Sequence, residues 1–246
     1  MKGGQELRLI IIQKRWIIRV FILLISVTIL SKTLLYRKKC LETGSLPTMA
    51  KVIVIDPGHG GYDPGRPGFS GKDEKDINLA ISLYLREYLE QSGSIVIMIR
   101  EKDTDLYVDD GSGRRKKTID LTSRKDIVIK NKPHALISIH VNSFPQSRYY
   151  GAQTFYSRDN EESKRLALII QEELIRVLNN DNRRQVMEKN DVYILKGLDI
   201  PAVLVECGFL SNPQEEQKLN DPQYQQKVAW SIYVGLQRYF KTSFRE

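Results

Sequence analysis

Apolar residues along this chain fall into two kinds of block, short dense runs and longer periodic ones. "KVIVID" (51–56), "SIVIMIR" (94–100), "ALISIHVN" (135–142) and "PAVLVECGFL" (201–210) are short runs rich in Val and Ile, the pattern of strands in a parallel sheet. The last two read as buried on both faces, and "AQTFYS" (152–157) and "DVYIL" (191–195) as shorter strands. Between the first two runs, "INLAISLYLREYLEQSG" sets Leu79, Leu83, Leu85, Tyr88 and Leu89 near helical spacing and stops at Gly93, so the opening is strand, helix, strand. Leu166, Ile169, Ile170, Leu174, Val177 and Leu178 mark another amphipathic helix. A final helix starts at Asp221-Pro222, a capping residue followed by proline at the first helical position, and buries Val228, Ile232, Leu236 and Phe240. The pattern predicts an α/β fold over 51–241: a single domain with a mostly parallel central sheet of about six strands flanked by helices.

The first 50 residues do not share this pattern. The uncharged run "VFILLISVTILS", Val20–Ser31, lies between Arg19 and Lys32. A membrane span needs about 20 apolar residues, whereas the core of an export signal needs fewer. With no clear cleavage site after it, the segment 1–39 reads as a basic stretch and an uncleaved signal or membrane anchor, and 40–50 as a linker. Charge agrees: the chain is +8, and residues 1–39 carry nine of the 38 basic residues against Glu6 alone, leaving 29 of each sign beyond. A neutral domain has no global field to attract a phosphate backbone, which argues against nucleic-acid binding. The two cysteines provide no disulfide framework, and Cys207 reads as a small buried residue.

Chemistry gathers where strands end. His59 follows the first strand in "DPGHGG", His140 ends "SIH", and Glu206 ends "VLVE". In an open α/β sheet the carboxyl ends of parallel strands border one crevice. Two histidines and a carboxylate, with a fourth position left for water, form a common catalytic zinc set. A further acid is available from Asp63, Asp73, Glu74 or Asp76, next to the helix that starts near Ile77. His134 stands at a strand start, away from this end. Arg124 either pairs with an acid near the site or lies on a solvated helix face. The polar insert from Tyr107 to Lys117 is long enough to carry function, and its basic residues Arg114 to Lys117 are expected at the crevice mouth.

"VIDPGHGGYDPG", "EKDINLA", "SIHVN" and "VECGFLSNPQEEQKL" together resemble the zinc-dependent N-acetylmuramoyl-L-alanine amidases of bacterial cell-wall metabolism, over nearly the whole chain beyond Lys51. The resemblance implies His59, Glu74 and His140 as ligands of one Zn2+ per chain and Glu206 as the catalytic carboxylate. It implies peptidoglycan as substrate, cut at the amide between N-acetylmuramic acid and L-alanine. "GAQTFYS", the short anchor and the lack of a repeated wall-binding module are similar to the sporulation and germination members that prepare spore cortex and form muramic lactam. That likeness implies action outside the cytoplasmic membrane, in the space between mother cell and forespore, with an accessory activator left open. Asp56 and Asn142 are expected around the histidines, as acceptors for metal-bound imidazoles, and Asn142, Arg114 and Arg115 are expected to meet substrate; for Asp56 and Asn142 the alternative is turn and strand-end residues satisfied by backbone. Two other functions use the same crevice: a zinc exopeptidase of related fold and a non-catalytic wall-binding module.

Overall fold

The computed structural model describes residues 16–35, 46–109, 111, 113, 115–179 and 181–243. By chain contacts it divides into two units, Met1–Ser45 and Leu46–Glu246. In the first, helix α1 (Trp16–Leu35) is 20 residues long with a mean hydropathy of 2.1. At 1.5 Å per residue it reaches about 30 Å, the thickness of a bilayer core. The helix extends the apolar run at both ends, through Arg19 and Lys32, and so reaches a span's length where the run alone falls short.

The second unit is a six-stranded sheet of β1 (Val52–Pro57), β2 (Ile95–Met98), β3 (Ala135–Asn142), β4 (Gln153–Tyr156), β5 (Met187–Glu188) and β6 (Ala202–Phe209), in the order β2-β1-β3-β6-β4-β5. The strands β2, β1, β3 and β6 run parallel, β4 is antiparallel to β6, and β5 is parallel to β4. Alternation along each strand divides the core in two, as a period of two residues requires. Ile53, Ile55, Ile137, Ile139, Val203 and Val205 face one side, while Val54, Leu136 and Leu204 face the other.

The first side is covered by α2 (Glu74–Gln91), α4 (Glu161–Leu178) and α6 (Pro222–Ser243), with α6 packed on both others. The stripe α2 buries is Ile77, Ile81, Leu85 and Leu89, each worth about 1.5–3 kcal/mol on burial. Leu79 and Leu83 lie outside that stripe and are half-buried. α6 buries Val228, Ile232, Leu236 and Phe240 as the periodicity predicts, and Asp221 caps it by accepting from the Gln223 amide at 2.9 Å.

The second side is covered by α3 (Lys116–Asn131) and a 3-10 turn, Tyr193–Leu195. That turn corrects the expected "DVYIL" strand. The edge beside β4 is taken by Met187–Glu188, which frees Ile194 and Leu195 to be buried on this face. Of helix α3 the sequence offers only a helix face as one of two readings for Arg124, and the helix absorbs Lys116 and Lys117 from the insert. A further short helix, α5 (Pro213–Leu219), follows β6 and is capped by Asn212, whose Oδ1 accepts from the Gln214 and Glu215 amides. Residues 46–50, expected as linker, belong to the folded unit: Thr48 is fully buried, shares a 2.8 Å hydrogen bond with Ser92 and accepts from Gln237 Nε2 at 2.7 Å.

Candidate active site

The carboxyl ends of β1, β3 and β6 open on one cavity of about 410 Å3 whose walls include His59, Glu74, His140, Asn142 and Glu206. The turn after β1 explains the glycines around the first histidine. His59 itself adopts a left-handed conformation, φ 62°, which costs a non-glycine residue energy and marks a constrained site. A Cβ on Gly58 would lie 2.3 Å from the His140 ring, and one on Gly60 2.3 Å from the Thr104 carbonyl oxygen. The first glycine lets the two histidines meet; the second lets the turn pack against the segment after β2. Gly58→Ala should therefore displace His140 and, if the three side chains hold a metal, lower its affinity about 10–100-fold, the usual cost of a disturbed support around a metal ligand. Zinc titration against a chelator beside a thermal melt checks this, with metal loss and an unchanged melt as the expected pair.

Three ligand atoms converge. Glu74 Oε1 is 3.2 Å from His59 Nε2 and 3.0 Å from His140 Nδ1, and the rings meet edge to face with centroids 5.0 Å apart. These atoms lie within 4.8 Å of one another. Tetrahedral zinc with bonds of about 2.0–2.1 Å separates its ligand atoms by about 3.3 Å, so two imidazole nitrogens and a carboxylate at this spacing suit that ion. Glu74 sits in the first turn of α2, where the helix end favours an anion, and its Oε2 accepts from the Arg66 amide at 3.0 Å. Of the other acids open in the sequence, Asp73 precedes the helix and Asp76 is exposed.

Asp63 has a different place. Its Oδ2 is 3.0 Å from His59 Nδ1, the nitrogen turned away from Glu74, and 3.3 Å from Lys117 Nζ. It thus stands where a metal-bound imidazole needs its outer acceptor. Asp56, expected in that role, instead accepts from Arg124 Nη1 at 2.8 Å and Ser138 Oγ at 2.7 Å. Burial would raise the Asp56 carboxyl, but Arg124, His140 and Ser138 outweigh it and hold the group below the ordinary range.

Arg124 pairs with acids and does not lie on a solvated face. Buried, it donates from Nε to Asp120 at 2.7 Å, from Nη1 to the Pro57 carbonyl at 3.0 Å and from Nη2 to the His59 carbonyl at 2.7 Å. Arg100 takes the other side of the turn, donating to the carbonyls of Pro57, Gly58 and Lys75. Two buried guanidiniums therefore clamp the backbone that carries His59.

The two glutamates of the cavity differ electrostatically. Glu74 resists the upward pull of burial because His140 and His59 hold it well below the carboxylate range. Glu206 is raised by burial, with Glu74 adding to the rise. Glu206 stands opposite His140 in the β3–β6 register, and its Oε2 is buried without a hydrogen-bond partner. Pairs of carboxyls pushed apart in this way divide into ligand or charge stabiliser and proton carrier.

Asn142 reaches the cavity wall, although its Oδ1 accepts from the Ser143 amide. Arg115 is exposed at the start of α3, Arg114 lies outside the described residues, and it is Lys117 that lines the cavity. His134 is exposed and accepts from the Val52 amide at 3.0 Å, apart from the site. Sequence reading missed Lys189 and Arg66 in the cavity wall. Lys189 follows a two-residue strand too short to register, and Arg66 lies in a loop with no periodicity.

Residues 53–238 match a family model described as N-acetylmuramoyl-L-alanine amidase. A germination-specific N-acetylmuramoyl-L-alanine amidase of Bacillus subtilis (strain 168) is 43% identical over 198 residues, covering 80% of this chain and 82% of the relative. Among solved structures, the CwlD amidase of Clostridioides difficile, in complex with the GerS lipoprotein, superposes with a TM-score of 0.75 at 49% identity, covering 78% of this chain and 99% of that one. An N-acetylmuramoyl-L-alanine amidase of Clostridium difficile 630 gives 0.69 at 30% identity, covering 78% and 98%. Strand ends, cavity and sequence similarity converge, over the exopeptidase and wall-binding alternatives, on one conclusion: the chain belongs to the N-acetylmuramoyl-L-alanine amidase family and is a cell-wall amide hydrolase.

Proposed function

We propose that this amidase is zinc-dependent and acts on spore-cortex peptidoglycan, freeing muramic acid of its peptide so that muramic lactam can form. The observation that carries the chemistry is the placement of an unpartnered, buried Glu206 oxygen across the register from His140, beside three convergent ligand atoms. His59, Glu74 and His140 would hold the ion. Bound there, zinc would act as a Lewis acid that polarises the scissile carbonyl and makes water acidic near neutral pH. Glu206 takes a proton from the attacking water as its oxygen adds to the lactyl carbonyl carbon. The carbon–nitrogen bond then breaks, and Glu206 returns that proton to the departing alanine nitrogen. A carboxyl raised by burial suits both transfers, being less mismatched to water and amine than an exposed glutamate. Asp63, whose Oδ2 is 3.0 Å from His59 Nδ1, would orient the His59 ring, and Lys117, Lys189 and Asn142, which line the cavity, would meet the peptide.

Helix α1 and the basic residues around it support an uncleaved anchor that holds the domain on the outer face of the membrane, in the space between mother cell and forespore. The germination-specific relative supports the cortex assignment. The lipoprotein bound to the Clostridioides difficile amidase supports a lipoprotein partner for this chain as well. Digestion of purified cortex peptidoglycan, with new termini identified by mass spectrometry, tests the reaction. The expected product carries a free L-alanine amine; new reducing sugar ends or released D-alanine would overturn it.

A further inference from the structure

The segment between β3 and β4 contributes residues to two cavities. At its start Ser143 lines the metal cavity, and further along Arg148, Tyr149 and Tyr150 line a second, of about 260 Å3, together with Arg183 and Arg184. Three of the five residues lining it are arginines.

One arginine of this second cavity, Arg184, is held in place by the fold, while Arg148 and Arg183 are exposed and present their side chains to solvent. Arg184 donates from Nε to the Tyr150 carbonyl at 2.7 Å and from Nη1 to Gln153 Oε1 at 2.9 Å, and its guanidinium lies 4.4 Å over the buried Phe209 ring. The buried Asn182 accepts from the Arg184 amide at 3.0 Å and donates to the Ala152 carbonyl at 2.7 Å, tying the Arg183–Arg184 segment to the start of β4. Glu215, which faces Arg184, is engaged by the backbone amides of Gly151 and Phe209. Arg148 stacks on Tyr149 with its guanidinium 5.5 Å from the ring centre.

The cavity is also joined to the chemistry. Asn142 of the metal cavity pairs with Phe209 in the sheet, and Phe209 stacks with Tyr149 at 6.3 Å. Resting on the amidase reading above, we infer that this arginine pocket is a subsite for the free carboxylates of the peptidoglycan stem peptide, holding the peptide while its alanine end lies at Glu206. Guanidinium forks match carboxylates two bonds at a time, and the stem peptide is the acidic part of this substrate. The tyrosines give its aliphatic stretches an apolar wall.

The test uses the full chain in detergent, as wild type and as the Arg148→Gln/Arg183→Gln variant, which spares the packed Arg184. Calorimetry measures binding of the free tripeptide L-Ala-γ-D-Glu-meso-diaminopimelate and of its fully amidated form. The expected result is about ten-fold weaker binding of the acid by the variant, in line with the loss of charge-assisted hydrogen bonds, with equal weak binding of the amide by both proteins and unchanged zinc content. Undetectable binding by the wild type, equal binding by both proteins, or an equal loss for the amide overturns the subsite. Displacement of the tripeptide by glycerol phosphate at equal concentration overturns it too, by making the pocket a general anion site. Turnover of the muramyl tripeptide is followed separately, with KM expected to rise and kcat to hold. Failure of the wild type to cut that bond would count against the amidase reading, while the binding result still decides the subsite.

Discussion

Glu206→Gln should retain close to one zinc per chain while losing about 10²- to 10⁴-fold in kcat, the usual worth of a positioned acid or base. His59→Ala, Glu74→Ala and His140→Ala should each lose zinc and activity together. The contrast follows from geometry: Glu74 Oε1 touches both imidazoles, whereas Glu206 stands across the β3–β6 ladder with an unpartnered oxygen. Metal analysis beside a turnover assay separates the outcomes. Zinc lost from Glu206→Gln but kept by Glu74→Ala would exchange the two roles. Full activity in Glu206→Gln would remove the proton carrier from the mechanism.

Arg124→Leu should cost about 3–5 kcal/mol of stability, the penalty for breaking a buried ion pair and leaving its partner charged. Here two carboxylates, Asp56 and Asp120, lose the same cation. Zinc affinity should fall as well, because the guanidinium also holds the His59 carbonyl. Arg124→Lys keeps the charge but cannot span four acceptors, so it should recover part of the stability and little of the metal affinity. Urea unfolding and zinc titration measure the two losses, and an unfolding midpoint equal to wild type for Arg124→Leu would refute the clamp.

The sequence revealed most where one residue answers to one rule. Dense runs of Val and Ile marked β1, β3 and β6 because strands covered on both sides have no polar face to break the run. His59, His140 and Glu206 followed, since each ends such a run. Helix α3 showed only as one of two readings for Arg124, for the opposite reason: its inward face is Ile119, Asp120, Arg124 and Val128, so half of what it buries is charged and no apolar period exists to be counted. Asp63 was legible as an acid near the site but not as the partner of His59 Nδ1, because the turn that folds it back depends on glycine backbone angles. Likewise "DVYIL" has strand composition, yet its place in the sheet was taken by two residues, Met187 and Glu188, whose composition says nothing. Propensity ranks what a segment prefers; competition for one edge decides what it becomes.

His59 and His140 are 81 positions apart in the sequence and become neighbours only through the β1–β3 pairing. No local stretch of this chain forms the three-ligand site, and an unfolded polypeptide would hold zinc weakly if at all. A chain threaded unfolded across a membrane would thus arrive metal-free. Under the zinc-dependent, extracytoplasmic reading proposed above, its loading would wait until β3 has docked against β1, so activation would depend on the zinc supply on the far side and on the pace of a non-local folding step.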